Sequence, residues 1–241
     1  RQMCIRDRPS IGIPILLVTM ENLSTGIVMA CVCGGILFIA SPRIIYFVVL
    51  AALAVAGVAG IIAFGDPFRM ERITAWLDPE SDVLGTGYQI LQGLYAIGSG
   101  GFLGKGLGSS TQKITTIPEA QNDMIFSIIC EELGIFGALL VLLLFGYLLY
   151  HLFVVAQNAP DAYGMLMVSG VFAHISIQVI LNLCVVLKLM PATGITLPFI
   201  SYGGTSVLFI LTEIGIALCV SRFIVFRDGQ NAEQGETAEE Q

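Results

Sequence analysis

Charge is what this chain has least of. Only 12% of its 241 residues are Asp, Glu, Lys or Arg, where a soluble domain carries about 25%. With 56% of residues hydrophobic, a water-facing surface cannot be assembled, and an ordinary soluble domain is excluded. Basic residues are scarcer still, 11 against 18 acidic ones, for a net charge of −7. Five of the acids (Asp228, Glu233, Glu236, Glu239 and Glu240) crowd the C-terminal tail, so the remainder is close to neutral. No basic stripe exists to meet a phosphate backbone, and nucleic acid is not an expected partner. Metal spacing is missing too. The six cysteines form no CxxC or Cys/His pattern. Cys31, Cys33, Cys130, Cys184 and Cys219 lie in apolar runs, where a thiol acts as a small hydrophobe. The opening "RQMCIRDRPS" mixes charges of both signs with no cleavage site behind it, unlike a secretory leader.

What is present is a series of long apolar runs. A helix needs about twenty such residues to cross a bilayer. Runs at 23–40, 44–64, 122–150, 164–187 and 205–222 meet that length, and 11–20 reaches only half of it. The expectation is an all-α, polytopic transmembrane helix bundle of five full spans plus a truncated first helix. The chain reads as a fragment that starts partway through a helix. All-helical structure follows because lipid offers no partner to open backbone groups. Residues 223–241 lack apolar periodicity and are expected to form a disordered acidic tail.

Two connections break the pattern. Residues 65–121 form a long hydrophilic loop rich in glycine, and within it "GYQILQGLYAIG" is amphipathic enough to lie on a membrane surface. Residues 188–204, "KLMPATGITLPFISYGG", are apolar yet contain Pro191, Pro198 and three glycines. Irregular backbone at membrane depth is tolerated only against protein or a cavity. Counting positive charges would put the long loop in the cytoplasm, but the bias is small.

Ionisable groups in such runs are costly and are functional candidates. In "TTIPEAQNDMIFSIICEELG", Thr116 and Glu119 fit a capping box around Pro118. A helix starting there would put Asp123 inside it, on one face with Ser127 and Glu131. A partly desolvated carboxylate has its pKa raised toward the range of a general base. An ion pair with a loop Lys or Arg accounts for the same residues, and both readings stand. His174, Gln178 and Asn182 repeat the spacing, and interhelical hydrogen bonding is the simpler account of them. Glu213, alone in the last span, is expected to pack against 188–204. The run "GSGGFLGKGLGSS" fails both the Walker pattern and G-x-G-x-x-G. It reads as a flexible loop whose Lys105, with nearby Lys113, could hold a pyrophosphate.

The motifs "ENLSTG" (21–26), "GYQ" (87–89), "GFLGKGLGSSTQKITTIPEAQNDMIFSIICEELG" (101–134) and "PATGITLPFISYGGTS" (191–206) occur in this order. Together they resemble the shape, elongation, division and sporulation (SEDS) family of bacterial membrane glycosyltransferases. The resemblance covers residues 9–222, the later part of a family fold of about ten transmembrane helices. "GLGSSTQK" is more similar to the division and sporulation branch, FtsW and SpoVE, than to the elongation branch, RodA. Two departures stand out. Asn22 replaces a usual Pro, and Gln121-Asn122 replaces a common His-Thr.

This resemblance implies a multi-pass protein of the bacterial inner membrane, with 65–121 and 188–204 extracytoplasmic and the tail cytoplasmic. It implies a peptidoglycan glycosyltransferase that polymerises lipid II, an undecaprenyl-pyrophosphate disaccharide-pentapeptide, during cell division. The family's essential aspartate falls on Asp123, as general base. The expected substrate-binding set is Glu119, Lys113, Lys105, Gln89, Arg72, Ser201 and Tyr202, with Arg69 as a further cation. Of these, Lys113 matches a recurrent family motif. No residue is assigned to a metal, although the pyrophosphate chemistry allows a divalent cation such as Mg2+. Expected partners are a class B penicillin-binding protein and other divisome membrane proteins. A lipid II flippase and a non-catalytic divisome scaffold are the competing readings.

Overall fold

A computed structural model describes residues 14–15, 17–19, 22–40, 67–81, 85–110 and 121–224. Four of its helices are long and apolar enough to cross a membrane: α1 (Leu23–Ala40), α4 (Ile125–Gln157), α5 (Ala162–Val186) and α6 (Gly204–Ser221). These match four of the five expected spans to within seven residues at each end. The fifth, 44–64, lies outside the described residues, as do residues 225–241 of the acidic tail and half of 11–20. Between α1 and α4 come α2 (Pro67–Leu77) and α3 (Thr86–Gly100). Among the described residues there is no strand.

The spans pack as antiparallel neighbours. Asp161 caps α5, its carboxylate accepting from the Gly164 amide at 3.3 Å, and so turns the chain back from α4. The core lies along α4 and α5 and includes Phe126, Ile128, Phe145, Val168, Ile175 and Val179. The opposite face of α4 exposes Leu139, Leu140, Leu143 and Leu144. That surface would be unstable in water and suits lipid. His174 on α5 faces Glu213 on α6, with Nδ1 2.9 Å from each carboxylate oxygen. Glu213 therefore bonds across helices, where packing on 188–204 was expected. The His174 result fits interhelical bonding, as the polar stripe suggested.

Two parts of the long loop differ from expectation. First, α3 does not lie on a surface. It runs beside the start of α4 in the same direction, with Ile90, Gly93, Ala96 and Gly100 buried. A Cβ on Gly100 would collide with the Cys130 carbonyl, so only glycine permits this approach. Second, the glycine-rich run after α3 is built into the bundle. At Gly134 the backbone of α4 leaves helical space (φ 66°, ψ −164°). The break strands two carbonyls above it and two amides below, and residues 101–106 satisfy all four. Lys105 and Gly106 amides donate to the carbonyls of Glu131 and Glu132, each at 2.9 Å. Ile135 and Phe136 amides donate to the carbonyls of Gly101 and Phe102, at 3.0 and 3.4 Å. Buried backbone groups must be paired somewhere, and here a loop 30 residues away completes the helix's ladder.

Candidate active site

Asp123 stands in a turn, residues 121–124, immediately before α4, whose N-cap is Met124. It therefore precedes the helix, and the shared helical face with Ser127 and Glu131 does not extend back to it. The correction matters for electrostatics. Asp123 meets the positive end of the α4 dipole, a place that favours an anion.

Three elements converge on this turn. From α3, Gln89 Nε2 donates to Asp123 Oδ1 at 3.3 Å. From α5, Asn182 Nδ2 donates to the Asp123 carbonyl and to the Ile195 carbonyl, both at 2.8 Å. From the irregular segment, the Tyr202 amide donates to the Gln121 carbonyl at 2.9 Å. One buried amide group thus ties the turn that carries Asp123 to the segment 188–203. That segment is itself held from two sides. Ser201 Oγ accepts from the Leu197 amide at 2.7 Å, closing a tight loop. Trp76 Nε1 of α2 donates to the Lys188 carbonyl at 3.0 Å, and Arg72 Nη1 to the Ala192 carbonyl at 3.4 Å. Lys188 (φ 59°) and Phe199 (φ 64°) sit in left-handed conformations that side chains disfavour. Such strain persists only where surrounding contacts enforce it.

Of the expected site residues, Gln89 reaches Asp123 directly. Ser201 and Tyr202 belong to the segment against its turn, where Ser201 bonds the backbone and the Tyr202 side chain is exposed. Arg72 is anchored on that segment from outside. Lys105 goes elsewhere, with Nζ 2.6 Å from Glu131 Oε1, about two helical turns below Asp123. For Glu131, the ion-pair reading of the carboxylate face holds. Lys113 and Glu119 lie outside the described residues, as does the side chain of Arg69. Among the described residues, no three His, Cys, Asp or Glu side chains gather as a metal site would need.

Asn182 is the residue whose role was underestimated. It was visible as the last member of the polar stripe, but nothing in that spacing said that it would hold the Asp123 turn. Replacing it with Leu removes both of these hydrogen bonds and is expected to cost about 1–2 kcal/mol. Thermal melting of the purified full-length parent measures this, and an unchanged melting temperature would show that the bridge contributes nothing.

A cavity of about 490 Å³ opens beside this bridge, between α1, α5, α6 and residues 193–196. Val28 and Val32 supply apolar wall, and Gln178, Thr193, His174 and Glu213 a polar stripe. Gln178 Oε1 and Thr193 Oγ1 are buried with no protein partner, so the wall offers acceptors to a polar guest.

Known proteins resemble this chain in sequence and fold. Stage V sporulation protein E of Bacillus subtilis is 45% identical over 219 residues, covering 89% of this chain and 60% of its own length. The protein named probable peptidoglycan glycosyltransferase FtsW in Thioalkalivibrio sulfidiphilus is 37% identical over 214 residues, covering 88% and 53% respectively. This chain thus spans about half to three fifths of the curated relatives it matches. Among solved structures, a chain of a peptidoglycan synthase complex superposes with a TM-score of 0.68 at 32% identity, over 89% of this chain and 59% of that one. The rod shape determining protein RodA of Thermus thermophilus superposes with a TM-score of 0.56 at 29% identity, over 90% and 54%. A family profile described as cell cycle protein, FtsW/RodA/SpoVE, matches residues 10–224, and the chain is a multi-pass membrane protein belonging to that family.

Proposed function

We propose that the full-length parent of this chain is an FtsW-type peptidoglycan glycosyltransferase that polymerises lipid II during cell division, with Asp123 as general base. The observation that carries the reading is Asp123 at the head of α4, where α3, α5 and the 188–203 segment converge. A lipid-linked sugar keeps its tail in the bilayer and its sugars outside. A base at the end of a spanning helix can meet such a hydroxyl.

In the proposed step, Asp123 takes the proton from the 4-hydroxyl of the acceptor sugar. The hydroxyl oxygen bonds to the anomeric carbon of the donor, and the anomeric C–O bond breaks with inversion. The electron pair leaves on the undecaprenyl pyrophosphate. Gln89 orients the carboxylate through Oδ1, and Asn182 fixes the backbone beneath it. Lys113 and Arg72 are the cations proposed for the leaving pyrophosphate. Lys105, paired with Glu131, serves the scaffold instead.

A discontinuous helix beside an irregular segment is also how many transporters are built. The interruption of α4 at Gly134 is the observation that favours a flippase. One experiment separates the readings. The full-length parent, with a class B penicillin-binding protein as partner, is reconstituted in vesicles with fluorescent lipid II. Polymer on a gel supports the glycosyltransferase. Labelled lipid crossing the bilayer without polymer, in a preparation whose partner and lipid are competent, overturns it in favour of transport.

A further inference from the structure

Asp123 stands in the turn at the head of a short helix. From Ile125 to Leu133, α4 makes a little over two turns before the break at Gly134. A helix of that length is marginal alone. Its direction is not set by an unbroken ladder to the rest of α4, because the ladder is completed by residues 101–106. Whatever holds that loop in the break therefore helps to aim Asp123, together with the Gln89, Asn182 and Tyr202 contacts to its turn.

Glu131 is at the centre of the hold. It is fully buried. Its backbone carbonyl accepts from the Lys105 amide, its Oε1 pairs with Lys105 Nζ at 2.6 Å, and its Oε2 accepts from Ser110 Oγ at 2.5 Å. One side chain thus grips both ends of the 105–110 turn. Neighbouring Glu132 does not share the task through its side chain, since its Oε1 is buried with no protein partner. Phe102, Leu103 and Leu107 of the same loop are exposed, so these side chains do not pack the loop onto the bundle. A carboxylate buried this deeply is costly unless it is paired and bonded, and both oxygens here are engaged by the loop.

We propose that Glu131 is a positioning residue: by gripping Lys105 and Ser110, its carboxylate locks the 101–110 loop into the break of α4 and so helps to aim the short helix headed by the Asp123 turn. The inference rests on the reading of Asp123 as the base. Glu131 touches no substrate and acts only through the loop and the short helix.

The test uses the full-length parent with its partner, scored per folded enzyme. Glu131→Gln keeps the volume and removes the charge. Polymer turnover is expected to fall about 10²-fold, the scale of a misplacement of about 1 Å. The half-saturating lipid II concentration is expected to stay within about threefold, because ground-state binding is not the target. Hydrogen exchange at Lys105, Gly106, Ile135 and Phe136 is expected to quicken about tenfold or more as the break opens. The reversed pair, Lys105→Glu with Glu131→Lys, should recover much of the turnover, which a merely space-filling role would not allow. Ser110→Ala removes one grip only and should fall between wild type and Glu131→Gln, so the proposal stays testable if Glu131→Gln does not fold. Wild-type turnover, or wild-type exchange at those four amides, in Glu131→Gln or Ser110→Ala overturns the proposal. Asp123→Asn is run alongside. It should lose turnover with exchange unchanged. If it keeps turnover, the base reading fails by that arm alone, and Glu131 is overturned as a positioner of Asp123 whatever the exchange shows.

Discussion

Asp123→Asn in the full-length protein is expected to lower glycan polymerisation about 10²–10⁴-fold. That corresponds to about 3–5 kcal/mol of transition-state stabilisation. Asn is close to isosteric with Asp, and its Oδ1 can still accept from Gln89 Nε2. The backbone carbonyl that holds Asn182 is untouched. Melting should therefore be unchanged, and the loss should lie in turnover rather than in protein yield. Gln89→Ala, which removes one hydrogen bond to the carboxylate and keeps the carboxylate itself, should lose far less. The check is lipid II polymerisation by wild type and variant at matched concentration, with melting curves in parallel. Polymer from both would leave the enzyme in place and move the base elsewhere, with Glu119 the next carboxylate along the chain.

The legible part of this structure is what lipid dictates. Apolar runs at 23–40, 122–150, 164–187 and 205–222 became α1, α4, α5 and α6, because length and hydropathy alone decide whether a helix can span. Of the stripe His174, Gln178 and Asn182, only His174 makes the interhelical bond that the spacing suggested, to Glu213, while Asn182 bonds a turn and an irregular segment and Gln178 Oε1 faces the cavity without a protein partner. Asp123 drew notice as a carboxylate beside an apolar run. Its place relative to the helix was misjudged. The helix was expected to include Asp123, whereas α4 begins at Ile125, and the capping box at Thr116 and Glu119 lies outside the described residues. The turn 121–124 is fixed from outside by Asn182 and Tyr202. The loop 101–106 was the largest surprise. Its glycines read as flexibility, and Gly134 read as one more small residue in an apolar helix. Periodicity carries no information on φ, and the two segments find each other across about 30 residues of chain. No local pattern announces that the glycines of one are shaped to the break in the other.

That mutual fit makes Gly134→Ala the substitution with the largest expected effect on stability. The backbone at Gly134 (φ 66°, ψ −164°) lies in a region essentially reserved for glycine, which costs any other residue about 1–3 kcal/mol. The added Cβ would also stand 2.5 Å from the Gly104 amide nitrogen and 2.5 Å from the Phe102 carbonyl oxygen. Both are backbone atoms with nowhere to retreat, and overpacking of this kind adds about 1–3 kcal/mol. Relief requires the loop to withdraw, which gives up its four hydrogen bonds to α4 and loosens the Lys105–Glu131 pair. The total expected is about 3–5 kcal/mol, a large share of the stability of an ordinary domain. Gly146 supplies the control within the same helix. It lies beyond the break with nothing within 4 Å of its added Cβ. Gly146→Ala should therefore be neutral, or stabilising by up to about 1 kcal/mol through helix propensity. Melting of the two variants in the full-length parent decides the matter. If Gly134→Ala melts with Gly146→Ala, the break in α4 is not held by the loop. If only Gly134→Ala collapses, the segment that follows α3 is a structural member of α4, and the aim of Asp123 depends on it.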